Sequence, residues 1–337
     1  MPARQKRSNF FVVAALAAAM LIPFPALAKV IKAAGNEFTH KAVTEARLRS
    51  QVEFLSGAQC AGRMMGSEGS EKAAEWIAEE LSQRGVLPMG ESWFHGFTTE
   101  SGARGNNIIG FLPGTSKSSY MIVAAHYDGL GIREGKLYPG ADSDASGVAG
   151  MLGVAAMMKE MVRIGKNYRK NIIFVALDGK FADLAGSKAL WKMLCDGTLT
   201  NPQTGEAVKQ EQVTLMVNID QIGCTLSPLK SGRPDYLILL SNPASDYHRG
   251  SLRVMNEKYG IGLELGYDYY GSKDFTRLFY ERVSDQRPFV ENGRPAVMFT
   301  SGITLNNNKD RDTADTLDYT VMKKRIWLIF HWIERVI

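Results

Sequence analysis

The sequence predicts an α/β fold in which a mostly parallel or mixed sheet lies between layers of helix. Two observations carry this. Short apolar runs bounded by Gly, Asp or Pro recur along the chain. They are nearly continuous rather than alternating, as expected of strands covered on both faces. Segments with apolar residues at helical spacing lie between them, and strand alternating with helix places the sheet inside.

The first 28 residues stand apart from this pattern. A basic start (Arg4, Lys6, Arg7), an apolar stretch from Phe10 to about Leu21 and Ala26-Leu27-Ala28 before Lys29 read as a secretory signal peptide. Residues 29–337 are then expected to be a single exported domain, periplasmic or secreted. The apolar run is too short, and too soon followed by Pro23 and Pro25, for a bilayer span, so no stable membrane anchor is expected. Losing the three leader cations takes the formal charge from +5 to +2, which removes any electrostatic case for nucleic acid. With 45% hydrophobic residues and no low-complexity tract, the chain can bury a large core, and disordered or fibrous classes are excluded. Cys60, Cys195 and Cys224 show no Cys-x-x-Cys spacing. They read as small buried residues whose pairing the sequence leaves open.

In order, "SEKAAEWIAEELSQR" (70–84) is an amphipathic helix stopped at Gly85. Strands are expected at 106–112, 120–129, 171–179, 213–223, 236–241 and 295–302. Helices are expected at 146–165, 183–197, roughly Ser245 to Tyr259, and 316–337. Segments 197–210 and 260–290 read as loop insertions, the second rich in aromatics and placed to overhang a cleft.

Working residues in such sheets gather where strands end. There the sequence offers His126 and Asp128, Asp142 and Asp144, Asp178 and Lys180, Asp220, and Asp285 with Gln286. Imidazole and carboxylates on separate strand ends are the ligands of a metal-centred hydrolase, since each ligand needs a rigid support. Singly, each Asp is a turn former or a helix cap.

From "AGRMMGSEGSEKAAEWIAEEL" near residue 61 to "DTADTLDY" near residue 319, the chain resembles the co-catalytic zinc aminopeptidases. That family includes bacterial leucyl aminopeptidases, glutamate-carboxypeptidase-like proteins and glutaminyl cyclases. The resemblance implies a three-layer sandwich with a mixed sheet of about eight strands. It makes His126 the first metal ligand, Asp128 the carboxylate that orients it and Asp220 a further ligand. In "GADSDASG" it puts Ser143 where the family has its metal-bridging Asp, with Asp142 and Asp144 as neighbours. Lys180 falls on the general base, Phe181 on a Glu ligand and Gln286 on the last His.

The metal positions that survive are therefore His126 and Asp220, with Asp144 as a third candidate. Phe cannot ligate, and serine or glutamine substitutes poorly for carboxylate or imidazole. The resemblance thus leads to a non-catalytic homologue that keeps a cleft for a peptide or small molecule, with no cofactor expected. The alternative is a metal-dependent aminopeptidase with an atypical ligand set, which would take zinc. Asp142, Asp285 and Arg287 are candidate cleft residues. A regrouping of Asp142 or Asp144 with Asp178 or Asp183, Asp285, His126 and Asp220 would suit a harder cation. Phe181 is expected to fill a vacated ligand position, and Lys180 to pair with Asp220 or Asp144 in place of the metal's charge.

Overall fold

The computed structural model describes residues 39–337, Tyr270 excepted; the expected signal peptide lies outside them. Eleven strands alternate with helices: β1 (Leu87–Pro88), β2 (Phe94–Thr98), β3 (Arg104–Leu112), β4 (Tyr120–His126), β5 (Gly131–Arg133), β6 (Lys136–Tyr138), β7 (Asn171–Leu177), β8 (Val213–Ile219), β9 (Tyr236–Ser241), β10 (Glu264–Gly266) and β11 (Ala296–Thr300). The helices are α1 (Glu45–Ser56), α2 (Glu68–Gln83), α3 (Ser146–Arg163), α4 (Ala185–Asp196), α5 (Arg249–Lys258), α6 (Lys273–Arg282), α7 (Arg287–Glu291) and α8 (Tyr319–Val336).

The main sheet runs β1-β3-β7-β4-β8-β11-β9-β10, with β2 also paired to β3. Its centre is parallel, β7 with β4, β4 with β8 and β8 with β11. Antiparallel pairs flank that centre: β3 with β7 on one side and β11 with β9 on the other. The expected mixed sheet is therefore present, and β4 and β7 are buried along their whole length. Alternate residues of these strands feed two cores. On one face Val123, Phe174 and Val217 pack against α1, α2, α3, α5 and α8. On the other, Ile122, Val175 and Met216 meet Leu190 and Leu194 of α4 and Phe289 of α7.

Local chemistry sets the helix starts. Ser67 accepts from Ser70 N at 3.2 Å to cap α2, and Asp318 accepts from Val321 N at 3.0 Å to cap α8. Helix α1, absent from the sequence reading, is capped by Thr44 and buries Leu48, Val52 and Leu55. The segment 260–290 is also more ordered than a loop insertion. It forms β10, α6 and α7, because Thr276, Phe279 and Tyr280 provide α6 with a buried stripe. The described cysteines are unpaired.

At the back of the molecule the terminal helix meets the first described turn through a pair of imidazoles. His40 Nε2 and His331 Nε2 lie 2.9 Å apart, His40 stacks on Trp327 and His331 stacks on Tyr259. Burial, and then His331, push His40 down to about 4; burial also lowers His331. With a folded value below the unfolded 6.5, the unfolded chain takes up protons first as pH falls. The pair's contribution is complete above pH 6.5 and is lost on the way down to pH 4. Urea unfolding at pH 7.5 and 4.5 should show a smaller loss of stability in His40→Gln, which keeps a hydrogen-bonding group but does not titrate. Equal losses in the two proteins would contradict this.

Candidate functional site

Because β4, β7 and β8 run parallel, their C-terminal ends deliver His126, Asp178 to Phe181, and Asp220 to one edge of the sheet. The turn that opens α3 brings Asp142, Ser143 and Asp144 to the same edge. All of these except Lys180 and Phe181 are buried.

The Lys180 ammonium forms an ion pair and hydrogen bond with Asp220 Oδ2, with side-chain exposures of 11% and 3%. Burial acts against each charged group. Asp220, Asp285 and Asp144 outweigh it for Lys180 and hold the lysine above its ordinary value. Lys180 and His126 together outweigh it for Asp220 and hold the carboxyl below its usual range. Asp220 Oδ2 also accepts from Ser284 Oγ, whereas Oδ1 has no partner. The expected pairing of Lys180 with Asp220 is thus present.

His126 Nδ1 lies 3.1 Å from the carbonyl of Asp128 and 3.3 Å from its Oδ1. A carbonyl only accepts, so Nδ1–H donates, and Nε2 is the ring atom left facing the site without a partner. Asp128 Oδ2 in turn accepts from Phe181 N at 3.2 Å, tying the Lys180 loop to the histidine. Asp144 Oδ1 accepts from Gly147 N at 2.9 Å and Gln221 N at 2.8 Å, while Oδ2 is buried and unpartnered. Burial, and then Asp220, push the Asp144 carboxyl well up. Donor atoms of His126, Asp144 and Asp220 fall within 4.8 Å of one another. Asp144 is thus grouped with His126 and Asp220, while Ser143 lines the adjoining pocket.

Two residues that the strand-end reading missed hold this loop. Asp312 accepts from Asp142 N at 2.8 Å and Ser143 N at 3.1 Å. Arg63, fully buried, donates to the carbonyls of Leu55, Tyr127, Pro139 and Gly140. Gly140 lies between them at φ 60°, and a Cβ there would stand 2.5 Å from Ser143 O, so the turn requires glycine. The only sequence signal for either residue is that both fall in the stretches that carry the family resemblance, "AGRMM" and "DTADTLDY". Gln221 adopts φ 59° beside Asp220, a left-handed backbone that costs on the order of 1–3 kcal/mol. Hydrogen bonds from Ser301 to its carbonyl and from its own N–H to Asp144 fix it there.

Several expectations are corrected. Asp142 does not face a cleft: Oδ1 accepts from Gly223 N at 2.7 Å and Ser146 Oγ at 2.9 Å. Arg287 lies outside the site, paired with Glu291 and Asp183 at the surface. Phe181 is not packed into the interior. It is 38% exposed, and its ring stands edge-on to His126 with centroids 5.9 Å apart, because its backbone is anchored to Asp128 and the side chain forms a wall. Asp178 turns to Asn106 N and Gly179 N, and Asp183 to the exposed Lys188, so the hard-cation regrouping does not assemble in full. Gln286 points into the interior, accepting from Asn218 Nδ2 at 2.9 Å and donating to Tyr280 O. Asp285 is fully buried with both oxygens unpartnered. Burial raises its carboxyl to about 6, against the pull of Lys180 and His126.

The site opens into a pocket of about 180 Å³. Ser143, Lys180, Asp220, Gln221 and Asn307 form its polar side, and Phe279, Val283, Met298 and Ile303 its apolar side. A larger groove of about 880 Å³ runs between β2 and α4; it is lined by Asp183 and by none of the strand-end residues.

Residues 107–333 match Peptidase family M28. Among solved structures, the LapA aminopeptidase of Legionella pneumophila is 16% identical, with a TM-score of 0.66 over 90% of this chain and 75% of that one. A zinc aminopeptidase from Bacillus subtilis is 15% identical, with a TM-score of 0.63 over 87% and 95%. The glutaminyl cyclase of Macrostomum lignano is 16% identical, with a TM-score of 0.67 over 88% and 91%. At these identities the likeness establishes the fold. No curated protein matches in sequence.

A co-catalytic metal pair does not fit the residues present, since Phe181 offers no donor and Gln286 is committed to the interior. Ligand atoms for one cation lie together on His126, Asp144 and Asp220, each of which has a buried polar atom without a partner. Breaking a buried ion pair from one side costs about 3–5 kcal/mol. Lys180→Met and Asp220→Asn should each destabilise on that scale. The double variant should lose clearly less than the two losses combined. Strict additivity in denaturant unfolding would contradict the buried pair.

Proposed function

The chain belongs to peptidase family M28, and from that premise we propose that it is an exported homologue that has lost two-metal hydrolysis and keeps a cleft for a peptide or another small ligand. The observation that carries this is the Lys180 ammonium on Asp220. Hydrolysis in this family's manner needs a carboxylate to take the proton of the attacking water. At the general-base position stands a lysine held above its ordinary value, and an ammonium has no lone pair with which to accept a proton.

The pocket supports binding. It is apolar on one side and large enough for a single side chain. On the other side Asp220 Oδ1, Gln221 Oε1 and Asn307 Oδ1 are buried acceptors without partners, which a ligand bearing N–H donors would satisfy. Export is supported by the basic, apolar and small-residue order of residues 1–28.

The second reading is a metal-dependent aminopeptidase with an atypical ligand set. The three unpartnered donors of His126, Asp144 and Asp220 favour it. Hydrolysis of aminoacyl anilides, with and without added zinc, separates the two readings. No turnover above the uncatalysed rate, together with a rise in melting temperature on adding short peptides, is expected. Zinc-dependent turnover by the unmodified protein would overturn the proposal.

A further inference from the structure

We infer that Lys180 is a tethered counter-ion closing a latent site for one first-row divalent cation, formed by His126, Asp144 and Asp220, so that the ammonium and the cation exclude one another. The inference rests on the reading of the site as disarmed for two-metal chemistry and goes on to say what disarmed it.

His126, Asp144 and Asp220 each carry a buried polar atom without a hydrogen-bond partner, and one ligand atom from each of the three lies within 4.8 Å of the others. Buried polar atoms are rarely left unpartnered, and one imidazole grouped with two carboxylates is a donor set that suits a borderline cation. His126 is already oriented by Asp128 through Nδ1, as ligating histidines usually are. Asp144 is fixed by two backbone N–H groups that leave Oδ2 free.

Only Asp220 is shared. Its Oδ2 holds the Lys180 ammonium, while its Oδ1 is buried without a partner. A dication bound there would stand beside a positive charge in a place shielded from water, where like charges repel strongly. Asp144, Asp220 and Asp285 all act on the ammonium, so the lysine supplies the positive charge that the cluster needs, and a cation has to displace it. The displaced side chain would enter the adjoining pocket, which Lys180 already lines.

Zinc titration calorimetry on the chelator-treated mature chain tests this in the wild type, Lys180→Met and Lys180→Met/Asp144→Asn. Lys180→Met should bind one zinc on the order of 100-fold more tightly than wild type, the scale on which a neighbouring like charge shifts proton binding. The double variant should lose at least about tenfold of that gain. If Lys180→Met does not fold without metal, Lys180→Gln, which keeps a donor to Asp220, carries the same comparison. Wild-type protein binding zinc as tightly as Lys180→Met would overturn the inference, as would a folded lysine variant that binds none. Anilide turnover measured in the same samples keeps the two failures apart. Tight wild-type binding without turnover sinks the tethered counter-ion alone, and wild-type turnover sinks the non-catalytic reading.

Discussion

The C-terminal edge of the sheet depends on how its buried negative charge is balanced. Asp128, Asp144, Asp220 and Asp285 are all almost inaccessible to water, and the Lys180 ammonium lies among the last three. Removing a charged group from water costs several kcal/mol unless a partner compensates it. Burial raises the carboxyls of Asp144 and Asp285, whereas for Asp220 the ammonium and His126 outweigh burial and hold the carboxyl below its usual range. The lysine thus sets Asp220 apart from its neighbours.

Around that pair the scaffold is rigid. Arg63 gathers four carbonyls from the segments that flank the site, and Asp312 pins the loop that carries Ser143 and Asp144. On the far side Arg325 does similar work, donating to the carbonyls of Tyr236, Ile222 and Cys224. These backbone clamps are what a preorganised site requires. They hold the loops around the Lys180–Asp220 pair whatever the pocket binds.

Much of the fold was legible because the central strands are continuous apolar runs bounded by turn residues, as in "NIIFVAL" and "YLILLS". The elements missed are those whose burial depends on a partner rather than on composition. Helix α1 is largely polar with only a narrow buried stripe, and β1, β2, β5 and β6 are short or half-exposed. In the site, His126, Asp128, Lys180 and Asp220 could be read because parallel strands bring their ends together. Asp144 could not be placed by alignment, since the course of the loop after Gly140 decides which backbone groups its carboxylate meets. Gln286 is visible as a substitution, but its interior bond to Asn218 is set by tertiary packing. Asp142 and Arg287 do not enter the cleft, because backbone N–H groups claim one and surface carboxylates the other.

The most direct test of this balance of charge is a crystal structure of the unmodified protein grown with zinc, with diffraction recorded on both sides of the zinc absorption edge. The expected map shows the Lys180 ammonium on Asp220 and no anomalous peak among His126, Asp144 and Asp220. Two anomalous peaks bridged by a carboxylate, with Lys180 swung out to solvent, would contradict the account.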